Sequence, residues 1–259
     1  MSKRTRNPLD KLDVMNVPGF STYQRLNEAF IDKVAYWILL ASVAIGFLVA
    51  EILRYWMNAK ISVTAVFIVC IVVVGLSAYR IWRNISQIKA IKLGWKGEVA
   101  TGQLLESLRN SGFVVLHDVQ TDNHGNIDHV VIGPSGIFAI ETKTISMPVD
   151  DKAVIQVGQD DQLIIDNQNV NYFKGRHPLN QTRTSAELLS QMIWDSAGRK
   201  MQVIPVLVYP GWWVNENPNC DVMVLNPKRF VTLVHSMPTC LSDADIRTIE
   251  NNLIRVLRA

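Results

Sequence analysis

The sequence predicts an α/β domain, with a mixed sheet flanked by helices, that is preceded by a two-helix transmembrane hairpin. Residues 34–50 and 61–79 contain no charged side chain, and each approaches the roughly 20 residues that a helix needs to cross a bilayer. From residue 95 onward, the pattern changes to helix, three strands, helix, strand, helix, which fits a mixed sheet covered on both faces.

We interpret the apolar segments as transmembrane spans at about residues 34–57 and 61–79. The second contains the uninterrupted run IVCIVVVGL, whereas the first ends against Glu51 and Arg54. Buried strands or core helices of a soluble protein are the alternative, because β-branched runs also occur there. A cleaved signal peptide is not expected, since a long, mostly polar stretch precedes the first apolar run.

Basic side chains are concentrated on the two outer flanks of this hairpin. Residues 1–90 carry 11 Lys and Arg against 5 Asp and Glu, whereas residues 91–259 carry 15 against 18. Of the basic residues, only Arg54 and Lys60 lie between the two uncharged stretches. The positive-inside rule therefore predicts a multi-pass protein of the cytoplasmic (inner) membrane, with both termini and the soluble domain in the cytoplasm. The acidic balance of the soluble part argues against a simple electrostatic nucleic-acid binder.

The domain organisation follows from these patterns. We expect a cytoplasmic tail (1–32), the hairpin (33–80), a basic juxtamembrane linker (81–93) and a soluble domain with a C-terminal helix (94–259). Within the soluble domain we expect helices at 96–110, 178–196 and 243–257, and strands at 113–117, 127–132, 137–140, 154–157, 163–165, 203–209 and 222–225. The three cysteines, Cys70, Cys220 and Cys240, have neither a zinc-type spacing nor a disulfide framework.

Acidic and basic side chains meet on the hairpin formed by residues 126–143. Gly133-Pro134-Ser135-Gly136 separates its two strands, and side chains two residues apart on a strand share a face, so Glu141 and Lys143 point the same way. Asp128 lies on the preceding strand, and Glu98 lies early in the first soluble helix. Carboxylates that converge on one small site raise each other's pKa unless a cation lies between them. Hard oxygen ligands of this kind favour Mg²⁺ or Mn²⁺ over zinc.

Each of these residues also has an ordinary structural interpretation. Glu98 could complement the dipole of its helix, and Lys143 could form a structural salt bridge with Glu141 or Asp128. His124 and His129 flank Asp128, but their spacing makes no zinc set, so we expect surface or loop histidines.

Three motifs together resemble the nuclease-related domain (NERD) family: GWKGE at Gly94 to Glu98, NIDHVVIGPSGIFAIETK at Asn126 to Lys143, and HPLNQ at His177 to Gln181. The resemblance covers roughly residues 91–210, and its middle motif is the most specific. It implies the PD-(D/E)xK nuclease superfamily and a restriction-endonuclease-like fold. The segment TISMPVDD after Lys143 departs from the family pattern at the edge of the expected cleft.

The resemblance also implies roles for individual residues. Asp128 and Glu141 would hold the metal together with the carbonyl of Thr142, and Lys143 completes the E-x-K pair. Glu98 could bind a second ion or position water. Gln181 could contact the substrate backbone, although a polar residue in the first turn after Pro178 is the alternative.

We therefore expect a membrane-anchored, Mg²⁺- or Mn²⁺-dependent nuclease that hydrolyses phosphodiester bonds, with DNA as its partner and two helices contacting membrane lipid. A catalytically inactive module of the same fold, which binds nucleic acid or a protein at the membrane, is the first alternative. The acidic soluble part favours a protein partner in that case. A structural membrane protein with a sensing or scaffolding domain is the second alternative.

Overall fold

The structure is a computed structural model with two compact units. One unit contains Gly94 to the C-terminal helix together with the residues up to Ser21, and the other is Thr22–Leu93. The structure describes residues 17–57, 63–121, 125–146, 154–158, 162–165, 168–169, 177–198 and 200–257.

The smaller unit is helical and strongly apolar. It holds most of α1 (Phe20–Phe30), a π-helical turn (Ile31–Ala35), α2 (Tyr36–Trp56) and the first part of α3 (Val63–Glu106). Two helical stretches, Phe20–Trp56 and Val66–Ser111, are long and apolar enough to cross a membrane, and only 11% of the most apolar window of each is buried. A core helix of a soluble protein would be mostly buried, so the outward-facing apolar side chains argue against that alternative.

The two predicted helices on either side of residue 94 belong to one element. Residues 81–93, expected as a basic juxtamembrane linker, are helical within α3, and so are the first residues of the helix expected at 96–110. A 3₁₀ turn (Ser107–Ser111) follows, and Gly112, with a φ of 81°, ends the helical path. Glycine adopts this left-handed conformation without steric cost, as the Ser111-Gly112 stop signal predicts.

A five-stranded mixed sheet forms the centre of the larger unit. Its strands are β1 (Val114–Thr121), β2 (Gly125–Gly133), β3 (Gly136–Thr142), β7 (Val203–Val208) and β9 (Met223–Leu225), in that spatial order. The pairs β1–β2 and β2–β3 are antiparallel, whereas β3–β7 and β7–β9 are parallel. The C-terminal ends of β3, β7 and β9 therefore meet at one edge of the sheet.

Helices cover both faces of this sheet. One face packs against α4 (Pro178–Ala197) and α6 (Asp243–Leu257), through side chains such as Leu189 and Leu253. The other face packs against the end of α3 and against α5 (Pro227–Ser236), through Leu105 and Phe230. The predicted fold class, a mixed sheet flanked by helices and preceded by two apolar helices, is confirmed.

A smaller sheet lies beside the main one in the same unit. Among the described residues its order is β6 (Gln168–Asn169), β5 (Leu163–Ile165), β4 (Val154–Val157) and β8 (Trp213–Asn215). The strands expected at 154–157 and 163–165 are thus present. Its apolar side chains share a core with Tyr209 and Trp212, which follow β7.

Candidate active site

The end of β3 places Glu141 and Lys143 on one face of the sheet, as their spacing predicts. Glu141 pairs in register with Leu207 of β7, and the backbone N–H of Lys143 donates to the carbonyl of Val208 at 2.9 Å. The Nζ atom of Lys143 lies 2.7 Å from Oε1 of Glu141. Glu141 is only 2% exposed. An ion pair of this kind is compatible with either a structural or a catalytic role for Lys143.

Asp128, on β2, lies next to the C-terminal end of β3. The backbone N–H of Thr142 donates to Oδ2 of Asp128 at 2.8 Å. The two residues come together because the tight turn between Gly133 and Gly136 closes the β2–β3 hairpin, whose antiparallel register runs to His129 and Ile140. Asp128 is buried, so this hydrogen bond fixes a carboxylate that water barely reaches.

Glu98 reaches the site because α3 packs very closely against the chain after β3. A Cβ atom placed on Gly97 would lie 1.7 Å from Oγ1 of Thr144, so only glycine permits this approach. Glu98, the next residue, is buried. Its charge acts on both Asp128 and Lys143. The GWKGE motif thus contains the glycine that sets the distance and the carboxylate that this distance positions.

Gln181 joins the cluster from the first turn of α4. Its Nε2 atom donates to Oε1 of Glu141 at 2.5 Å, so this carboxylate oxygen accepts from both Gln181 and Lys143. Pro178 begins α4 and sets the helix phase that turns Gln181 inward. The expected substrate contact of Gln181 stays a prediction, since its amide is engaged with Glu141 here.

In this cluster, several acidic side chains lie close together in a buried site, and their pKa values are shifted as a result. Burial, followed by the charges of Glu141 and Glu98, raises the pKa of Asp128 well above its ordinary value, against the opposing effects of the Thr142 amide and Lys143. Burial would lower the pKa of Lys143, but Glu141, Asp128 and Glu98 outweigh it and raise that pKa. Lys143 is therefore a protonated ammonium at neutral pH.

The donor set fits a hard divalent cation. It consists of carboxylate and carbonyl oxygens, and the mutual repulsion that raises the pKa of Asp128 is relieved by a positive charge. Across the described part of the chain, no three His, Cys, Asp or Glu side chains are gathered into a ready-made metal cage. Mg²⁺ is usually held by one or two carboxylates and several waters, so a pair such as Asp128 and Glu141 suffices for it.

His129 does not lie on the surface, so that expectation is wrong. It is fully buried in β2, and its Nδ1 atom lies 2.8 Å from Nδ1 of His117 on β1. The Nε2 atom of His117 lies 2.7 Å from Oε1 of Glu106 on α3. Burial lowers the pKa of both histidines, with the charge of Glu106 opposing it at His117. His124 lies outside the described residues.

A further buried carboxylate, Asp118, went unrecognised in the sequence. It lies in β1 with a positive φ of 51°, a backbone conformation that Asp adopts more readily than most residues. Its Oδ2 atom accepts from the backbone N–H of Ser21 at 3.0 Å, and its Oδ1 atom accepts from Nδ2 of Asn126 at 2.5 Å. Asp118 thereby joins the first turn of α1 to the start of β2. An aspartate inside an apolar strand was the only signal for it.

Comparison with known families supports the resemblance found in the motifs. Residues 93–210 match the model of the family described as nuclease-related domain, NERD. This segment runs from the last turns of α3 to just beyond β7 and contains every proposed site residue. Neither the curated proteins nor the solved structures contain a significant match to the chain.

Proposed function

We propose that this chain, whose residues 93–210 belong to the nuclease-related domain family, is a membrane-anchored, metal-dependent nuclease that hydrolyses phosphodiester bonds in DNA. One observation carries the proposal. Asp128 and Glu141 are buried at one strand end, where their charges conflict, and the protonated Lys143 lies beside them. Buried, mutually perturbed carboxylates are typical of functional sites because keeping them together costs stability.

Asp128 and Glu141, with the carbonyl oxygen of Thr142, are the residues that would hold Mg²⁺ or Mn²⁺. Such a cation supplies polarisation of the phosphate group and activation of water. The chain itself orients both carboxylates: the Thr142 amide fixes Asp128, while Lys143 and Gln181 fix Glu141. Glu98 adds a third negative charge nearby and so strengthens the attraction for cations.

Two roles are open to Lys143: it could orient or deprotonate the attacking water, or it could offset negative charge on the reacting phosphate. The acids around it raise the pKa of Lys143 and so favour its ammonium form, which has no lone pair to accept a proton from water. It can instead donate hydrogen bonds to phosphate oxygens as negative charge develops on them. The proposal therefore assigns Lys143 to electrostatic stabilisation of the reacting phosphate.

The two apolar helices support the membrane part of the proposal. They are long enough to span a bilayer, and their side chains face outward. Basic residues flank them at both outer ends, where anionic headgroups would attract them. We propose that this hairpin holds the nuclease domain at the cytoplasmic face of the membrane.

The direct test is cleavage of labelled DNA by the full chain purified in detergent, with Mg²⁺ or Mn²⁺ and with EDTA. We expect Asp128→Ala and Lys143→Ala each to reduce the rate at least about 100-fold, the size expected for a lost transition-state contact. Asp195→Ala and Lys200→Ala are matched controls, because both side chains are exposed and outside the cluster. Cleavage that survives both site substitutions unchanged would remove the proposed site.

A non-catalytic module that binds a partner at the membrane is the second candidate. One observation favours it: Lys143 and Gln181 already occupy Oε1 of Glu141. Calorimetric titration of the full chain with Mg²⁺ separates the two functions. If Mg²⁺ does not bind the wild-type chain, the result favours the non-catalytic module. If Mg²⁺ binds the wild-type chain and Asp128→Ala abolishes this binding, the result favours the nuclease.

A further inference from the structure

An aromatic and basic groove lies at the same sheet edge as the carboxylate cluster. It has a volume of about 370 Å³, and its walls include Trp212, Trp213, Glu216, Lys228 and Arg229. None of these residues belongs to the candidate active site. We refer to these five residues as the tryptophan groove.

The chain after β7 forms a tight turn that presents the tryptophans. The segment Tyr209-Pro210-Gly211-Trp212 has proline and glycine at the two central positions, the signature of a type II turn. Gly211 has a φ of 83°, and the N–H of Trp212 donates to the carbonyl of Tyr209 at 3.3 Å. Trp212 is buried at 2% exposure, whereas Trp213 is 72% exposed. The turn therefore fixes one indole in the core and holds the next one in solvent.

Three hydrogen bonds tie the groove to the segment after β3 and to α5. Nε1 of Trp212 donates to the carbonyl of Ile145, two residues after Lys143, at 3.1 Å. Nδ2 of Asn226 donates to the carbonyl of Trp212 at 2.9 Å, while Oδ1 of Asn226 accepts from the N–H of Lys228 at 3.0 Å. Because β3, β7 and β9 are parallel neighbours, the segments that follow them emerge together. The exposed indole and the basic residues are thus built into the edge that carries Glu141 and Lys143.

The charge of the groove differs from that of its surroundings. Residues 91–259 carry 15 Lys and Arg against 18 Asp and Glu. In the groove, Lys228 and Arg229 outnumber Glu216, whose Oε1 atom pairs with Nε of Arg229 at 2.8 Å. A cationic position beside an exposed aromatic ring suits a phosphodiester backbone with an accessible base face.

From this juxtaposition, we propose that the tryptophan groove binds single-stranded nucleic acid, with a base stacked on Trp213 and the backbone phosphate on Lys228 and Arg229. Bases inside a duplex are covered by their neighbours, so only a single strand or a frayed end can stack on an indole. The inference rests on the proposed nuclease function, because it specifies the form of the substrate. It gives the enzyme a preference for unpaired segments over intact duplex.

Binding of a labelled single strand in EDTA tests the groove without cleavage. The full chain in detergent is titrated against a fluorescein-labelled oligothymidine of about 12 nucleotides, within the range of known single-strand sites, and anisotropy is recorded. We expect Trp213→Ala to raise the Kd about 5-fold or more, the effect of losing one base stack, and Trp213→Phe to restore most of the affinity. Trp194→Ala is the matched control, since Trp194 is also exposed, at 47%, but lies on α4 outside the groove.

Charge variants of the same groove provide effects of opposite sign. Lys228→Ala and Arg229→Ala should weaken binding and flatten its dependence on salt, because fewer counterions are released. Glu216→Gln should instead tighten binding about twofold, the size of a surface ion-pair effect. Equal affinity of wild type, Trp213→Ala and Lys228→Ala for the strand would overturn the proposal.

A lipid headgroup is the competing occupant, because tryptophan and lysine also line membrane interfaces. Short-chain phosphatidylglycerol should not compete with the oligonucleotide. Competition that Trp213→Ala abolishes would assign the groove to lipid and overturn the proposal. The nuclease function fails separately. A strand bound through Trp213 but left uncleaved with Mg²⁺ supports the groove and contradicts the nuclease. A wild-type chain that cleaves duplex DNA with Mg²⁺ but binds no single strand supports the nuclease and contradicts the groove.

Discussion

At the residue scale, the site is a balance between buried acids and one ammonium group. The charges of Glu141 and Glu98 raise the pKa of Asp128, while the same acids raise the pKa of Lys143. The two shifts have a common cause, because the negative charge that opposes ionisation of one group favours ionisation of the other. Without a divalent cation, the site therefore retains protons that a cation would displace.

Removing the charge of Asp128 should stabilise the protein in EDTA. The pKa of Asp128 is higher in the folded than in the unfolded protein. The stability that Asp128 contributes is therefore fully present below the unfolded pKa of about 4, and it is lost as the pH rises through the folded pKa. Asp128→Asn keeps an oxygen that can accept from the Thr142 amide. We expect this variant to unfold about 2–4 °C higher than wild type at neutral pH, the shift that about 1 kcal/mol produces.

Tryptophan fluorescence during thermal unfolding measures this effect, with exposed Asp195→Asn as the control. The gain should shrink as the pH is lowered toward 4, where Asp128 in the wild type becomes neutral. Addition of Mg²⁺ should stabilise the wild type and leave Asp128→Asn unchanged. An Asp128→Asn protein that unfolds earlier than wild type at neutral pH would contradict the electrostatic description.

Side-chain periodicity predicts part of this residue-scale arrangement. The alternation of a strand is enough to place Glu141 and Lys143 on one face, and a tight hairpin turn brings Asp128 beside them. The hydrogen bond from Gln181 to Glu141 joins residues 40 positions apart and depends on how α4 docks. The buried contact between His117 and His129 depends on where α3 covers the sheet, which their local sequence does not reveal.

At the scale of elements, the site depends on the close packing of α3 against the chain after β3. Gly97 leaves room for Thr144, and this contact brings Glu98 to the carboxylates of β2 and β3. The site is therefore assembled from elements that approach closely only because one position lacks a side chain.

Gly97→Ala should displace α3 from Thr144 and disturb the site. The added Cβ atom would lie 1.7 Å from Oγ1 of Thr144, far inside van der Waals contact. We expect a destabilisation of about 1–3 kcal/mol, as for other overpacked sites, and a reduced cleavage rate. Denaturant unfolding and DNA cleavage measure the two effects.

Gly94→Ala is the matched control, because it lies one turn earlier on α3 and a Cβ atom there meets nothing within 4 Å. Alanine is the better helix former by about 1 kcal/mol, so this variant should be at least as stable as wild type. Adding Thr144→Gly to Gly97→Ala should recover stability. Equal stability of Gly97→Ala and wild type would show that the helix does not need this approach.

The element order was predictable from hydrophobic periodicity, but two helical features were not. α3 is continuous through residue 94, because its basic, amphipathic middle contains no proline to stop it. α5 was overlooked, although Asn226 caps it and Pro227 occupies its first turn. Ten residues with a short apolar stripe give a weak periodic signal, and the cap becomes informative only when the helix is already suspected.

At the scale of the whole molecule, charge and apolar surface divide the chain into two kinds of unit. The basic excess belongs to the flanks of the apolar helices, whereas residues 91–259 are mildly acidic. This division fits an anchor that attracts anionic lipid and a domain that binds nucleic acid at a local site, such as the tryptophan groove, rather than over its whole surface.

The proposed topology places both ends of the hairpin in the cytoplasm. Cys240 is exposed in the larger unit, so it should resist a membrane-impermeant maleimide in intact cells and react after permeabilisation. A cysteine introduced at Asn58, between the apolar segments, should react in intact cells. Both measurements use a chain in which Cys70 and Cys220 are replaced by alanine. Labelling of Cys240 in intact cells would contradict this topology and indicate the opposite orientation.

The central claim is that Glu141 and Asp128 cleave DNA together with a divalent cation. Single-turnover cleavage by the full chain, measured against Mg²⁺ concentration for wild type and Glu141→Gln, tests it most directly. Glu141→Gln preserves the size of the side chain and an oxygen that can accept from Lys143 and Gln181, and it removes only the negative charge. We expect cleavage by wild type to require Mg²⁺ and that by Glu141→Gln to be at least about 100-fold slower at every concentration. Equal, Mg²⁺-independent rates in the two proteins would contradict the claim.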